Sequence, residues 1–228
     1  MYYFIILLTI LLFAFGIVLL RKLPKKSLKI EKYLIIVSFV SYVFEILKIG
    51  LVMGFTRDAF FYALPLGNVS PFVFTLAFIS LFFPERIRKN IRPLLIILSF
   101  GFLVAGFGLT IINFVTNQPF VPSAIFDVIP HILLALLGIY YYESYNEEYS
   151  LKHYVFAGIF MILVALVMLG INAIFNTSFF GLNPYGNHNI YFHNPIRNCL
   201  LSNIVYFVGL LLAEVLGFLF QKLIHLKK

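Results

Sequence analysis

Seven apolar runs set the terms on which this chain can fold. They cover residues of about 2–20, 33–55, 69–83, 94–115, 129–145, 154–175 and 201–221. Most approach the ~20 residues that a helix needs to cross the hydrocarbon of a bilayer. The third is the shortest. Composition points the same way: 62% of the 228 residues are hydrophobic and 11% are charged, whereas a soluble domain carries about 25% charged residues. The mean hydropathy is +1.00. The expected fold is all-α: a polytopic membrane helix bundle of about seven transmembrane helices, a single integral membrane domain over 1–228. No stretch between the runs is suited to a soluble domain, and no internal repeat stands out.

Basic residues fix the expected orientation. Arg21, Lys22, Lys25, Lys26, Lys29 and Lys32 lie between the first two runs, and Arg86, Arg88, Lys89 and Arg92 between the third and fourth. Lys152 and the C-terminal Lys222, Lys227 and Lys228 fall on the same side, against Arg57 and Arg197 on the other. Cytoplasmic loops carry the excess of Lys and Arg. The N-terminus is therefore expected outside and the C-terminus in the cytoplasm, as an odd span count requires. The expected location is the cell membrane, as a multi-pass protein. The net charge of +8 is then a matter of topology and anionic lipid. No nucleic-acid partner is expected. A lone cysteine, Cys199, excludes an intrachain disulfide and a Cys-based metal framework. Met1–Leu20 lacks a basic n-region and is too long for a signal-peptide core.

The stretch Pro130–Tyr145, PHILLALLGIYYYESY, carries the most informative pattern. Pro130 suits a first helical position, where its missing N–H costs nothing. His131 follows in the outer half of the fifth run. Tyr140, Tyr141 and Tyr142 read as an interfacial aromatic cluster, with Glu143 at the cytoplasmic end. Between His131 and Glu143 a helix rises roughly 18 Å, so the two cannot share one small site. His131 has an unperturbed pKa suited to proton transfer, although a lone histidine also serves as a hydrogen-bonded packing residue. Glu45 and Lys48 stand three apart, the spacing of a helical ion pair. Ionisable residues inside a span call for a functional reason, and self-neutralisation of this pair is the simpler one. Glu214 lies in the seventh run. Gly50 and Gly54, then Gly101, Gly106 and Gly108, fit close helix packing. Asn68-Val-Ser70 and Asn176-Thr-Ser178 match the glycosylation triplet, a pattern that arises readily by chance. His131, Asp127, His188 and His193 share the outer side and could in principle hold a metal, but their spacing is not diagnostic. No metal or cofactor is expected. Walker, G-x-S-x-G and H-E-x-x-H motifs are absent.

The second half of the chain resembles the YwaF family of bacterial integral membrane proteins. The points of likeness are His131-Ile-Leu-Leu with Tyr140-Tyr-Tyr-Glu143, the stretch Asn176-Thr-Ser-Phe-Phe-Gly-Leu-Asn-Pro184, and Glu214. Glu45 with Lys48 and Leu64-Pro-Leu66 are similar in the first half, so the likeness runs from Glu45 to Glu214. The family continues Leu-Pro-Leu with His, an apolar residue and Cys, where this chain has Gly67, Asn68 and Val69. Distant eukaryotic relatives include lipid acyltransferases with a Cys–His pair and lipid hydrolases with a Thr–His pair. The resemblance implies that His131 is the catalytic base. Val69 cannot replace the cysteine nucleophile, and Ser70 is one residue away.

These readings lead to an expected pocket in the outer half, around His131. Ser70 is the candidate nucleophile, and Glu45, Lys48, Asn68, Asn176 and Glu214 are candidate binding residues. The partner is membrane lipid. The chemistry is acyl transfer or ester hydrolysis, or binding alone in a degenerate member. The alternative is a small ion- or proton-coupled transporter, with Glu45, Lys48 and Glu214 as its path.

Overall fold

A computed structural model describes residues 2–53, 69–98 and 124–175, together with the single positions Val215 and Leu219. The described residues are helical, with no strand among them. Helix α1 is Tyr2–Lys22, α2 is Leu28–Met53 and α3 is Val69–Ser80. Residues 85–98 form α4. Helix α5 is Ala124–Tyr145, followed by a 3-10 turn at Asn146–Glu148 and by α6, Leu151–Phe175.

Helix α5 is the hub. It packs against α1 and α2, and α2 packs against α3. Its residues from Leu134 to Tyr142 are buried almost without a break, as expected of a helix surrounded by others. Where α1 crosses α5 the approach is close. A Cβ placed on Gly16 would lie 2.6 Å from Leu136 Cδ1. The Leu136 methyl groups can turn aside for one added carbon but not for a branched side chain. Gly16→Ala should be tolerated, whereas Gly16→Val should cost about 1–3 kcal/mol, the usual penalty for overpacking. Unfolding in detergent measures the difference.

The described part of the third apolar run is helix α3, which ends at Ser80, and Leu81–Pro84 turn the chain into α4. Pro84 is the residue that forces this break, since it cannot continue a helix. It then accepts, through its carbonyl, the N–H groups of Ile87 and Arg88 that open α4.

Two local expectations are corrected. Pro130 is not the first helical residue: α5 begins six residues earlier and runs through it. The Tyr140–Tyr142 triplet is not an interfacial belt, because all three rings are buried. The Tyr140 hydroxyl accepts the Ser27 N–H at 3.0 Å and lies 3.2–3.3 Å from the carbonyls of Ser27 and Pro24. It pins the α1–α2 turn, where Lys26 adopts a left-handed φ of 56°, to the side of α5.

Around the apolar core, several large apolar side chains are exposed and a few charged or polar ones are buried. Leu11, Phe15 and Val18 on α1, Val40, Phe44 and Leu47 on α2, and Phe156, Leu163 and Val167 on α6 are exposed. Glu31, Arg88, Arg92 and His131 are buried. Helix α6 is long and apolar enough to cross a membrane, and only 28% of its apolar window is covered by other parts of the protein. Large contiguous apolar surface of this kind marks contact with lipid or a partner.

Candidate functional site

Ser70 lies on α3, followed by Pro71. His131 lies on α5, directly after Pro130. The two meet across the bundle: Ser70 Oγ lies 3.2 Å from His131 Nε2, and each residue is 8% exposed. One turn along α3, Phe74 stacks on Tyr42 of α2 with ring centroids 5.2 Å apart. That contact ties α3 to α2 close to the pair.

This geometry supplies a hydroxyl and a base within hydrogen-bond reach, the basic requirement of nucleophilic acyl transfer. When Ser70 donates its hydroxyl proton to Nε2, the ring proton sits on Nδ1, and His131 makes a further interaction beyond the one with Ser70. Ser70 on α3 faces α5 at this point.

The other sequence candidates are placed less fully. Glu45 is half-buried on α2 and has an interaction partner. The Lys48 side chain, Asn68, Asn176 and Glu214 lie outside the described residues, as do the Asp127 side chain, His188 and His193. Among the described residues no group of three or more metal-ligating side chains gathers.

A second polar centre was not anticipated from the sequence. The Glu31 carboxylate, 1% exposed, accepts from Arg92 Nη2 at 3.0 Å and from the Tyr141 and Tyr145 hydroxyls at 3.2 and 3.1 Å. The Arg92 guanidinium lies 4.0 Å from the centroid of the Tyr145 ring. Arg88 Nη1 is 4.0 Å from Glu31, and Arg88 Nη2 binds Glu85 at 2.7 Å. Glu85 also accepts from Arg92. Burial disfavours the Arg92 cation, but hydrogen bonds and charge from Glu85 and then Glu31 outweigh it and raise its pKa. At the margin, Glu148 bridges Lys26 at 2.8 Å and Lys89 at 3.5 Å. Its carboxyl is held below the usual range, chiefly by the Lys26 hydrogen bond. Glu143 pairs with Arg21 at 3.6 Å.

The two centres are separate. Ten residues of α5 divide His131 from Tyr141, about 15 Å along the axis. A signal for the second was present in the sequence. Glu85, Arg88 and Arg92 follow each other at three and four residues, the period of one helix face, rather than lying in a loop.

No family model, curated protein or solved structure matches this chain.

Proposed function

We propose that the chain is a YwaF-like membrane protein of about seven spans that binds membrane lipid and, through Ser70 and His131, transfers or hydrolyses an acyl ester. The single observation that carries this reading is the 3.2 Å approach of Ser70 Oγ to His131 Nε2 inside an apolar bundle. The exposed apolar faces of α1, α2 and α6 support a lipid environment.

In the proposed step, His131 Nε2 takes the Ser70 proton as Oγ bonds to the ester carbonyl carbon. The intermediate collapses, its ester C–O bond breaks, and the leaving alcohol receives the proton from His131. Water or a second alcohol then releases the acyl group from Ser70 by the reverse proton movements. Burial strengthens each of these interactions by excluding water.

The test is turnover of a fluorescent phospholipid or neutral lipid ester by the purified full chain, with Ser70→Ala and His131→Ala as controls. Loss of turnover in both supports the reading. Unchanged turnover in both, or none in the wild type across ester classes, removes it and leaves binding or transport.

The proposed topology has the N-terminus outside and the C-terminus in the cytoplasm. Fourteen basic residues flank the proposed inner side against two on the outer. The ion network of Glu31, Arg88 and Arg92 and the Lys26–Glu148–Lys89 bridge then lie towards the inner face, and the Ser70–His131 pair lies deeper in the bilayer. A reporter fused after Lys228 should be active only in the cytoplasm. Activity outside reverses the assignment.

A further inference from the structure

We propose that Arg88 and Arg92 form a binding site for a phosphate oxyanion, which the Glu85 carboxylate caps when the site is empty. This inference is independent of the Ser70–His131 chemistry.

Four observations lead to it. First, the two guanidinium groups are buried, Arg88 at 8% and Arg92 at 2% exposure. Second, they are not fully used. Arg88 Nε and Nη1 and Arg92 Nε are buried without a hydrogen-bond partner. Arg92 is near enough to oppose the burial that pushes the Tyr149 hydroxyl up to about 12. Buried donors left in a group like this call for a ligand, an ion or water. Third, the shared acceptor is an anion at the surface. The Glu85 side chain is 57% exposed, yet its two oxygens bridge Arg88 Nη2 and both terminal nitrogens of Arg92. That is the arrangement a phosphate makes with paired guanidinium groups.

Fourth, the charges divide unequally. Glu31 is met by Arg92 and by two phenol hydroxyls, so it does not depend on Arg88. The direct hydrogen-bonded counter-charge of Arg88 is Glu85. Glu85 opens α4, where a change of rotamer moves its carboxylate into solvent without disturbing the helix. An incoming phosphate replaces two carboxylate oxygens with as many as four acceptors, which can engage donors that Glu85 does not reach. Lys26 and Lys89 stand beside the cluster through Glu148 and add positive charge to the approach. The phosphate can be free or carried on a lipid headgroup at the inner face.

Thermal unfolding of the detergent-solubilised full chain tests the site. The probes are inorganic phosphate, a short-chain phosphatidylglycerol, and a short-chain diacylglycerol as the phosphate-free control. Sodium chloride at matched ionic strength is the salt control. Phosphate or phosphatidylglycerol should raise the unfolding temperature, while diacylglycerol and chloride should not. Glu85→Gln removes the competing charge and should lower the half-saturating concentration about tenfold, equivalent to ~1.4 kcal/mol. Arg88→Gln should abolish the shift, and Arg88→Lys, which keeps charge but loses the fork, should weaken it. A shift with inorganic phosphate identifies free phosphate as sufficient; a shift with phosphatidylglycerol alone identifies the headgroup. No shift with either probe, an equal shift with chloride, or an undiminished shift in Arg88→Gln overturns the proposal.

Discussion

Replacing His131 with alanine is expected to reduce turnover of a lipid ester by about 10²–10⁴-fold, the range ascribed to one positioned general base. Ser70→Ala should lower it as far or further, because without the hydroxyl no acyl-enzyme forms. The double variant should be no worse than the more damaging single, since groups that act as one unit lose their combined effect when either is removed. Stability should respond differently. Ser70→Ala removes one buried hydrogen bond at 3.2 Å, worth about 1 kcal/mol, and should remain folded; His131→Ala also removes a buried ring and its further interaction and should cost more. Ser70→Thr keeps the hydroxyl but adds a methyl group at a buried position and should retain partial activity. An active Ser70→Ala would assign the nucleophile elsewhere. A His131→Ala variant that loses stability but no activity would make the pair structural.

How far the sequence revealed this arrangement depends on the kind of interaction. Ser70 and His131 begin apolar runs that enter the expected bilayer from one side. Their common depth makes a meeting readable from the sequence, though depth alone says nothing of their role. The end of α3 was less legible, because hydropathy continues through Leu81–Phe83 and only Pro84 marks the turn. The tyrosine triplet misled for a physical reason. Tyrosine has an apolar body and a polar tip, so it suits an interface and equally a core in which its hydroxyl finds a partner. In this chain the hydroxyls of Tyr140 and Tyr141 reach the α1–α2 turn and Glu31. Glu31 and Arg92 were hidden for another reason. A count of flanking charges treats every Lys, Arg and Glu at the end of a run alike. What separates a buried Arg92 from an exposed Lys89 is the crossing of α2, α4 and α5, which joins residues 61 positions apart.

The largest effect on stability is expected at that crossing. Arg92→Met leaves the Glu31 carboxylate buried, with two phenol donors and Arg88 Nη1 no nearer than 4.0 Å. Removing one member of a buried pair costs about 3–5 kcal/mol, because the remaining charge cannot regain water. Glu31→Leu should be costly as well, but less so, since Glu85 still faces Arg92. Combining Glu31→Leu with Arg92→Met removes both charges and should recover much of the loss, as apolar replacement of a whole buried pair can be nearly neutral. Recovery should stop short of complete. The Tyr141 and Tyr145 hydroxyls then lose the acceptor they share, and each unsatisfied buried hydroxyl costs about 1–3 kcal/mol. Adding Tyr141→Phe and Tyr145→Phe should remove most of that remainder, although the same two changes in the wild-type background should destabilise it by withdrawing donors from a buried carboxylate. The same substitution pair would thus stabilise one background and weaken the other. Chemical unfolding of the full set in one detergent measures this reversal of sign. If the double variant instead loses the sum of its single losses, Glu31 and Arg92 are not coupled and the network does not hold α2, α4 and α5 together.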